Sequence, residues 1–203
     1  MPRSPRSERA MPANKVAVIM VTHNRSDVTT LALDALVRAQ NHQATFKLFL
    51  VDNASDPREY ARIARLFEYL QSHHGLDGIT LPQSENLGFS AGNNVGINQA
   101  LSDPSITHIC LLNNDVITPP RWLDILVAHA DGALVSPLSN SVGNEQIIPV
   151  PYTSKGINGY TRQAVFDFAA EHERTHVGNV VPSRMLGFFC VLVMFEDIVF
   201  VIF

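Results

Sequence analysis

The chain alternates short apolar runs with amphipathic segments, and every run ends in polar residues. KVAVIMV (Lys15–Val21), TFKLFLV (Thr45–Val51) and THICLL (Thr107–Leu112) are largely apolar and rich in strand-forming residues. Such runs suit strands covered on both faces. Between them lie helical patterns, Asp27–Gln40 and a segment reaching about Ser72 with Ile63, Leu66, Phe67 and Leu70 on one face. The latter opens with Asp56-Pro57-Arg58-Glu59, which predicts Asp56 as the cap, Pro57 at the first helical position and Glu59 closing a capping box. Gly78–Leu81 reads as a third strand, Ala91–Leu101 as a helix capped by Ser90, and Arg121–Ala130 as a helix started by Pro119-Pro120. Ala133–Pro137 reads as a fifth strand, and Thr161–Glu173 as one more helical stretch. The pattern predicts a single α/β domain, a mostly parallel sheet with helices on both faces. Ligands of such sheets bind beyond the carboxyl ends of the strands. The informative loops are therefore Thr22–Ser26, Asp52–Asp56, Ser84–Ser90 and Asn113–Val116.

Composition narrows the classes further. At 203 residues and 46% hydrophobic content, the chain can bury a core without disulfides or metal staples. Cys110 and Cys190 both sit in apolar runs and read as reduced core residues. Fifteen Lys+Arg against nineteen Asp+Glu give a net charge of −4, with no basic run to grip a nucleic-acid backbone. No uninterrupted apolar stretch reaches the ~18 residues of a bilayer span. Residues 1–13 (MPRSPRSERAMPA) lack the apolar centre of a secretory signal and read as a disordered tail before a domain at 14–194. Residues 195–203 read as an atypical apolar tail.

The strand ends carry Thr22-His23-Asn24, Asp52-Asn53, Glu85-Asn86 and Asn113-Asn114-Asp115. None is a dinucleotide fingerprint or a P-loop. Taken together, VTHNR (21–25), VDNAS (51–55), ENLGFSAGNNVGI (85–97) and LLNNDV (111–116) resemble family 2 glycosyltransferases of the GT-A, Rossmann-like fold, in that family's order and spacing. PLSNSVGNEQ (137–146) and LGFFCVLV (186–193) extend the likeness, and Asn-Asn-Asp points to a rhamnosyltransferase-like subgroup.

The resemblance implies that Thr22 and His23 lie against the nucleotide base, and that Asp52 accepts hydrogen bonds from the base or ribose. It places Asn86, Gly88 and Asn93 near the diphosphate, with Gly88 and Gly92 letting backbone approach a bulky ligand. Asn24 and Asn53 are further candidate nucleotide-sugar contacts, with turn formation as their other reading. Asn113 and Asn114 stand in place of the first part of the family's Asp-x-Asp motif, and Asp115 would hold Mg²⁺ or Mn²⁺. Such a cation needs only one or two protein carboxylates beside the phosphates and stabilises the leaving nucleoside diphosphate.

The implied reaction is inverting transfer from a UDP- or dTDP-sugar to a hydroxyl of a saccharide or lipid-linked saccharide, in cell-surface polysaccharide synthesis. A cytoplasmic place is implied, with peripheral attachment at the inner membrane face as the alternative; oligomeric state is left open. A nucleotidyltransferase of related fold would instead release pyrophosphate. The family's catalytic base normally follows the Gly-Phe-Phe-Cys strand by a few dozen residues, whereas here Glu196-Asp197 follows at once. Two expectations result: a C-terminally truncated chain that binds donor without turnover, or Asp197 as an early base. One competing motif stands apart. His172-Glu173-Arg174-Thr175-His176 matches the zinc-protease signature, with Glu196 as a third ligand on paper. Arg174 beside the metal, and Pro182 where an extended motif needs histidine, count against it.

Overall fold

The computed structural model describes residues 14–150 and 161–196. The predicted tail at 1–13, Asp197 and the rest of the apolar C-terminus lie outside them. In chain order the elements are β1 (Asn14–Thr22), α1 (Ser26–Arg38), β2 (Ala44–Asp52), α2 (Pro57–His74), β3 (Gly78–Pro82), α3 (Gly88–Ala100), β4 (His108–Leu112), α4 (Trp122–Val127), α5 (Arg162–His176) and β5 (Cys190–Met194). They form one five-stranded sheet in the order β3-β2-β1-β4-β5. β1 to β4 run parallel, and β5 lies antiparallel against β4. Among the described residues no helix is long and apolar enough to cross a membrane.

β1 is apolar from Val16 to Val21 because helices cover both of its faces. Val16, Val18 and Met20 join Leu33 and Leu36 of α1, Ile63, Phe67 and Leu70 of α2, and Leu123 and Leu126 of α4 in one core. Ala17 and Ile19 face the other way, toward Phe49, Ile109 and the α3 residues Ile97 and Ala100. The alternation along one strand thus sorts its side chains into two layers. Cys110 and Cys190 are buried and reduced on neighbouring strands, sulfurs 4.0 Å apart. The adjacent Cys190 thiol and burial both hold the Cys110 thiol well above its ordinary range.

Several expected boundaries move, each for a local reason. The strand expected at Ala133–Pro137 reduces to a bridge at Val135, which exchanges two backbone hydrogen bonds with Leu192. Gly132 turns the chain with φ +65° just before it, and Pro137 has no N–H to extend the ladder. The fifth strand is instead Cys190–Met194. Pro57 does open α2, but Asp56 makes no side-chain cap, and Glu59 accepts from the Ser26 amide at 3.0 Å, capping α1 across the loop. Ser26, through its side chain and its amide, holds the Glu59 carboxyl below its ordinary value. α2 continues to His74 and stops at Gly75, in the left-handed region at φ +68°. α3 begins at Gly88 rather than Ala91, and Ser90 is not its cap: Asn53 Oδ1 accepts from the Leu87 amide at 2.9 Å and Asn86 Oδ1 from the Gly88 amide at 2.9 Å. α4 is shorter than expected, and Thr161 caps α5 by accepting from the Ala164 amide.

Candidate functional site

Three of the four polar clusters close the carboxyl ends of parallel strands, and the fourth opens α3 just beyond β3. Thr22 and Asp52 are register partners at the ends of β1 and β2. Asn114, just past β4, reaches across to Thr22 Oγ1 (3.3 Å) and Thr29 Oγ1 (2.9 Å). Asp52 and Asp115 therefore stand on one rim, linked through Thr22 and Asn114. The two carboxylates differ in setting. Asp52 is 4% exposed; its Oδ2 accepts from the Ser55 amide, and its Oδ1 has no partner among the described residues. Asp115 is exposed and, with half-buried Asn113, lines a cleft of about 1910 Å³. Arg25 lies close by, its guanidinium held above its ordinary value mainly by Asp27 and more weakly by Asp115.

The amides between these carboxylates are tied into the protein by hydrogen bonds. Asn53 donates to Asn86 Oδ1 (2.8 Å) and the Gly88 carbonyl (3.1 Å). Asn24, at φ +56°, accepts from the Asp56 amide. His23 is exposed, with Nδ1 2.9 Å from the Asn53 carbonyl, while Thr22 is buried against Thr29. The hydrogen-bonding groups of Thr22, Asn24, Asn53, Asn86 and Asn114 thus engage other protein groups and set the shape of the rim. Gly88 adopts φ +77° with open space around it, which suits close approach of a ligand. Gly92 does not: a Cβ there would lie 3.0 Å from Val21 Cγ1, so its bareness serves helix-on-strand packing. Asn93 donates to the Phe89 carbonyl and lines a pocket of about 220 Å³ together with Phe89, Leu111 and Phe188.

The model of glycosyl transferase family 2 matches residues 17–186, which takes in this whole rim. The chain belongs to that family. Among curated proteins none matches it. Solved structures share its fold: S. aureus TarS 1–349 in complex with UDP superposes with a TM-score of 0.52 at 19% identity, over 70% of this chain and 40% of that one. The same protein with UDP-GlcNAc gives 0.51 at 18% identity, over 70% and 38%. A mannosyltransferase from Pyrobaculum calidifontis, in complex with GDP-Man and Mn²⁺, gives 0.43 at 22% identity, over 57% and 31%. The chain spans about two fifths or less of these neighbours' length.

In this family 2 domain, oxygen donors fit a hard cation at the rim: one exposed carboxylate, Asp115, beside the amide oxygen of Asn113. A self-contained metal cage is absent, since no three His, Cys, Asp or Glu side chains cluster for a metal among the described residues. The zinc motif fails on that ground. His172 and His176 stack at 4.1 Å on α5, but Glu173 is committed to Arg121 at 2.5 Å. Glu196 follows Phe195, whose amide bonds the Thr107 carbonyl at the opposite, amino-terminal rim of the sheet.

Sequence reasoning missed Gln146, which is 5% exposed and donates to Ser136 Oγ (2.7 Å) and the Pro137 carbonyl (2.9 Å) while accepting from Asn144 and the Gly187 amide. It ties together three loops lining the cleft. Nothing in a polar loop marks one glutamine as the buried one.

Proposed function

We propose that the domain binds a nucleotide-diphospho-sugar along this rim, with Mg²⁺ or Mn²⁺ at Asp115, and serves inverting glycosyl transfer to an acceptor hydroxyl. The observation that carries the reading is Asp52 Oδ1, a buried carboxylate oxygen with no partner, on the same rim as an exposed carboxylate. A buried carboxylate oxygen left without a donor is costly, and the N–H and O–H groups of a base or ribose offer it donors. His23 lies beside it to cover the base, and Gly88 leaves room for phosphate. When bound, the cation offsets the charge that develops on the departing diphosphate. The chain's own part is to hold Asp115 and Asn113 toward the cleft and to fix the strand ends through the amide network. The subgroup likeness favours a rhamnose-type donor, UDP- or dTDP-linked, in cell-surface polysaccharide synthesis.

A second reading, donor binding without turnover by these residues alone, is favoured by one observation: Glu196 lies at the far rim, away from the cleft. Calorimetric titration with UDP and dTDP, with and without Mn²⁺, addresses the shared part of both readings. UDP is the natural first probe because S. aureus TarS is seen with it. Binding is expected to need Mn²⁺, to weaken at least about tenfold in Asp115→Ala, and to weaken in Asp52→Asn without loss of metal dependence. Nucleotide affinity indifferent to both substitutions overturns the proposal. A transfer assay with UDP- and dTDP-sugars then separates turnover from binding alone.

A further inference from the structure

Beyond Asp115 the cleft continues past α4 to α5, and two buried polar groups in its wall lack partners. Thr118 is 2% exposed and Trp122 6%, and neither Thr118 Oγ1 nor Trp122 Nε1 has a hydrogen-bond partner among the described residues. Both residues line the same cleft as Asp115. Across it, α5 presents a ladder of rings at every fourth position: Phe168 to His172 at 6.0 Å and His172 to His176 at 4.1 Å, both stacked. All three rings line the cleft. The motif that fails as a zinc site is thus an aromatic stripe.

Charge decides what such a surface takes. Arg121, the cation beside the stripe, is tied to Glu173, and Arg25 at the Asp115 end is tied to Asp27. The lining as a whole carries four carboxylates (Asp115, Asp124, Glu145 and Glu173) against three arginines (Arg25, Arg121 and Arg184), so it disfavours a second phosphate and suits a neutral hydroxylated ligand. Hydroxyl oxygens can accept from the indole N–H and exchange hydrogen bonds with the threonine, and the C–H face of a sugar ring packs on aromatic carbon. Apolar walls with a few placed polar groups are the usual make-up of a small-ligand site, but about 1910 Å³ exceeds the ~300–1,000 Å³ of such pockets. An extended ligand fits better than a single ring.

We propose that this arm of the cleft binds a neutral oligosaccharide, the acceptor, through Thr118 and Trp122 and by stacking on Phe168, His172 and His176. The proposal rests on the donor reading above, since it places the acceptor in continuity with Asp115.

Trp122 is the chain's single tryptophan, so its emission reports on this arm alone. The full chain is screened on an array of neutral glycans, and the best binder is titrated by Trp122 fluorescence and by calorimetry, with UDP–Mn²⁺ affinity measured in parallel. A retained neutral glycan that shifts Trp122 emission is expected. Thr118→Val and Trp122→Phe are each expected to weaken it about five- to tenfold by calorimetry, leaving UDP affinity unchanged. His172→Ala, on a helix with no buried residue, tests the stripe without touching the core and is expected to weaken the glycan about threefold. No neutral glycan retained while UDP binds, or a glycan bound equally well by all three variants, overturns the proposal. Glycan binding with no nucleotide binding removes the donor reading and leaves the saccharide arm standing.

Discussion

α3 lies on the sheet with Gly92, Asn93, Gly96, Ile97 and Ala100 buried, whereas no residue of α5 is buried at all. α3 carries no basic residue in its last turn and no acidic one in its first; it is held by shape, its glycines laid directly on Ile19 and Val21. α5 is pinned by charge, Arg162 to Asp34 of α1 and Glu173 to Arg121 beside α4. The contrast extends to the regions they serve. The strand-end rim is a lattice of hydrogen-bonded amides centred on buried Asn53, while the arm under α5 is broad and walled by loops. Shape complementarity gives one geometry, as a site that must align a leaving group requires. Surface ion pairs give a strap whose position is set loosely, which suits a wall for an extended ligand.

The sharpest way to break this contrast is to disturb the shape-held helix. A Cβ at Gly96 would lie 2.4 Å from Ile19 Cγ2, and Ile19 is fully buried with nowhere to move. Alanine in a helix gains about 1 kcal/mol over glycine, but overpacking costs about 1–3 kcal/mol or more. Gly96→Ala is expected to destabilise by about 2 kcal/mol in urea unfolding and to weaken nucleotide binding by shifting the α3 start from Asn53 and Asn86. A neutral or stabilising result would show that α3 is not shape-held.

Next comes Asp124, which anchors α4 from inside. Its carboxylate is 7% exposed and accepts from the amides of His42 (2.7 Å), Gln43 (3.0 Å) and Ala44 (2.9 Å). Burial would raise its pKa, but the three amides outweigh burial and hold it below the ordinary value. A depressed folded-state pKa means stability that is present above the unfolded value, near 4, and lost as pH falls through the folded one. Asp124→Asn leaves fewer acceptors for three N–H groups, of which that of Ala44 is buried, and is expected to cost about 2 kcal/mol at neutral pH. Unfolding from pH 7 to 3 checks the sign: wild type loses its advantage over the variant toward the acid end.

Much of this was readable beforehand, and for physical reasons. β1, β2 and β4 announce themselves because a strand covered on both faces must be apolar throughout. The rim was legible because each cluster follows such a strand. Caps were not: Glu59 looks like a capping-box residue for its own helix, but the chain brings Ser26 within its reach. Likewise Asn53 accepts from the Leu87 amide at the start of α3 from another loop, a long-range pairing that no local pattern encodes. The strand at Ala133–Pro137 misread a β-prone run whose neighbours allow a single bridge. Nor could spacing alone show that His172 and His176 stack with Phe168, because i, i+4 geometry serves a metal and an aromatic ladder equally well.

The smallest expected effect tests the other side of the contrast. The Arg121–Glu173 pair is about half exposed at the arginine and about a third exposed at the glutamate (51% and 31% side-chain exposure), so solvent screens it. Exposed pairs contribute about 0–1 kcal/mol. Glu173→Gln is therefore expected to leave global unfolding almost unchanged while speeding amide exchange across α5 relative to α3, because what is lost is the strap's tether rather than any core contact. Raising the salt concentration should reproduce the faster exchange in wild type and add little in the variant. If Glu173→Gln instead costs as much as Gly96→Ala, α5 is part of the packed body, and the division between a shape-held rim and a charge-held arm disappears.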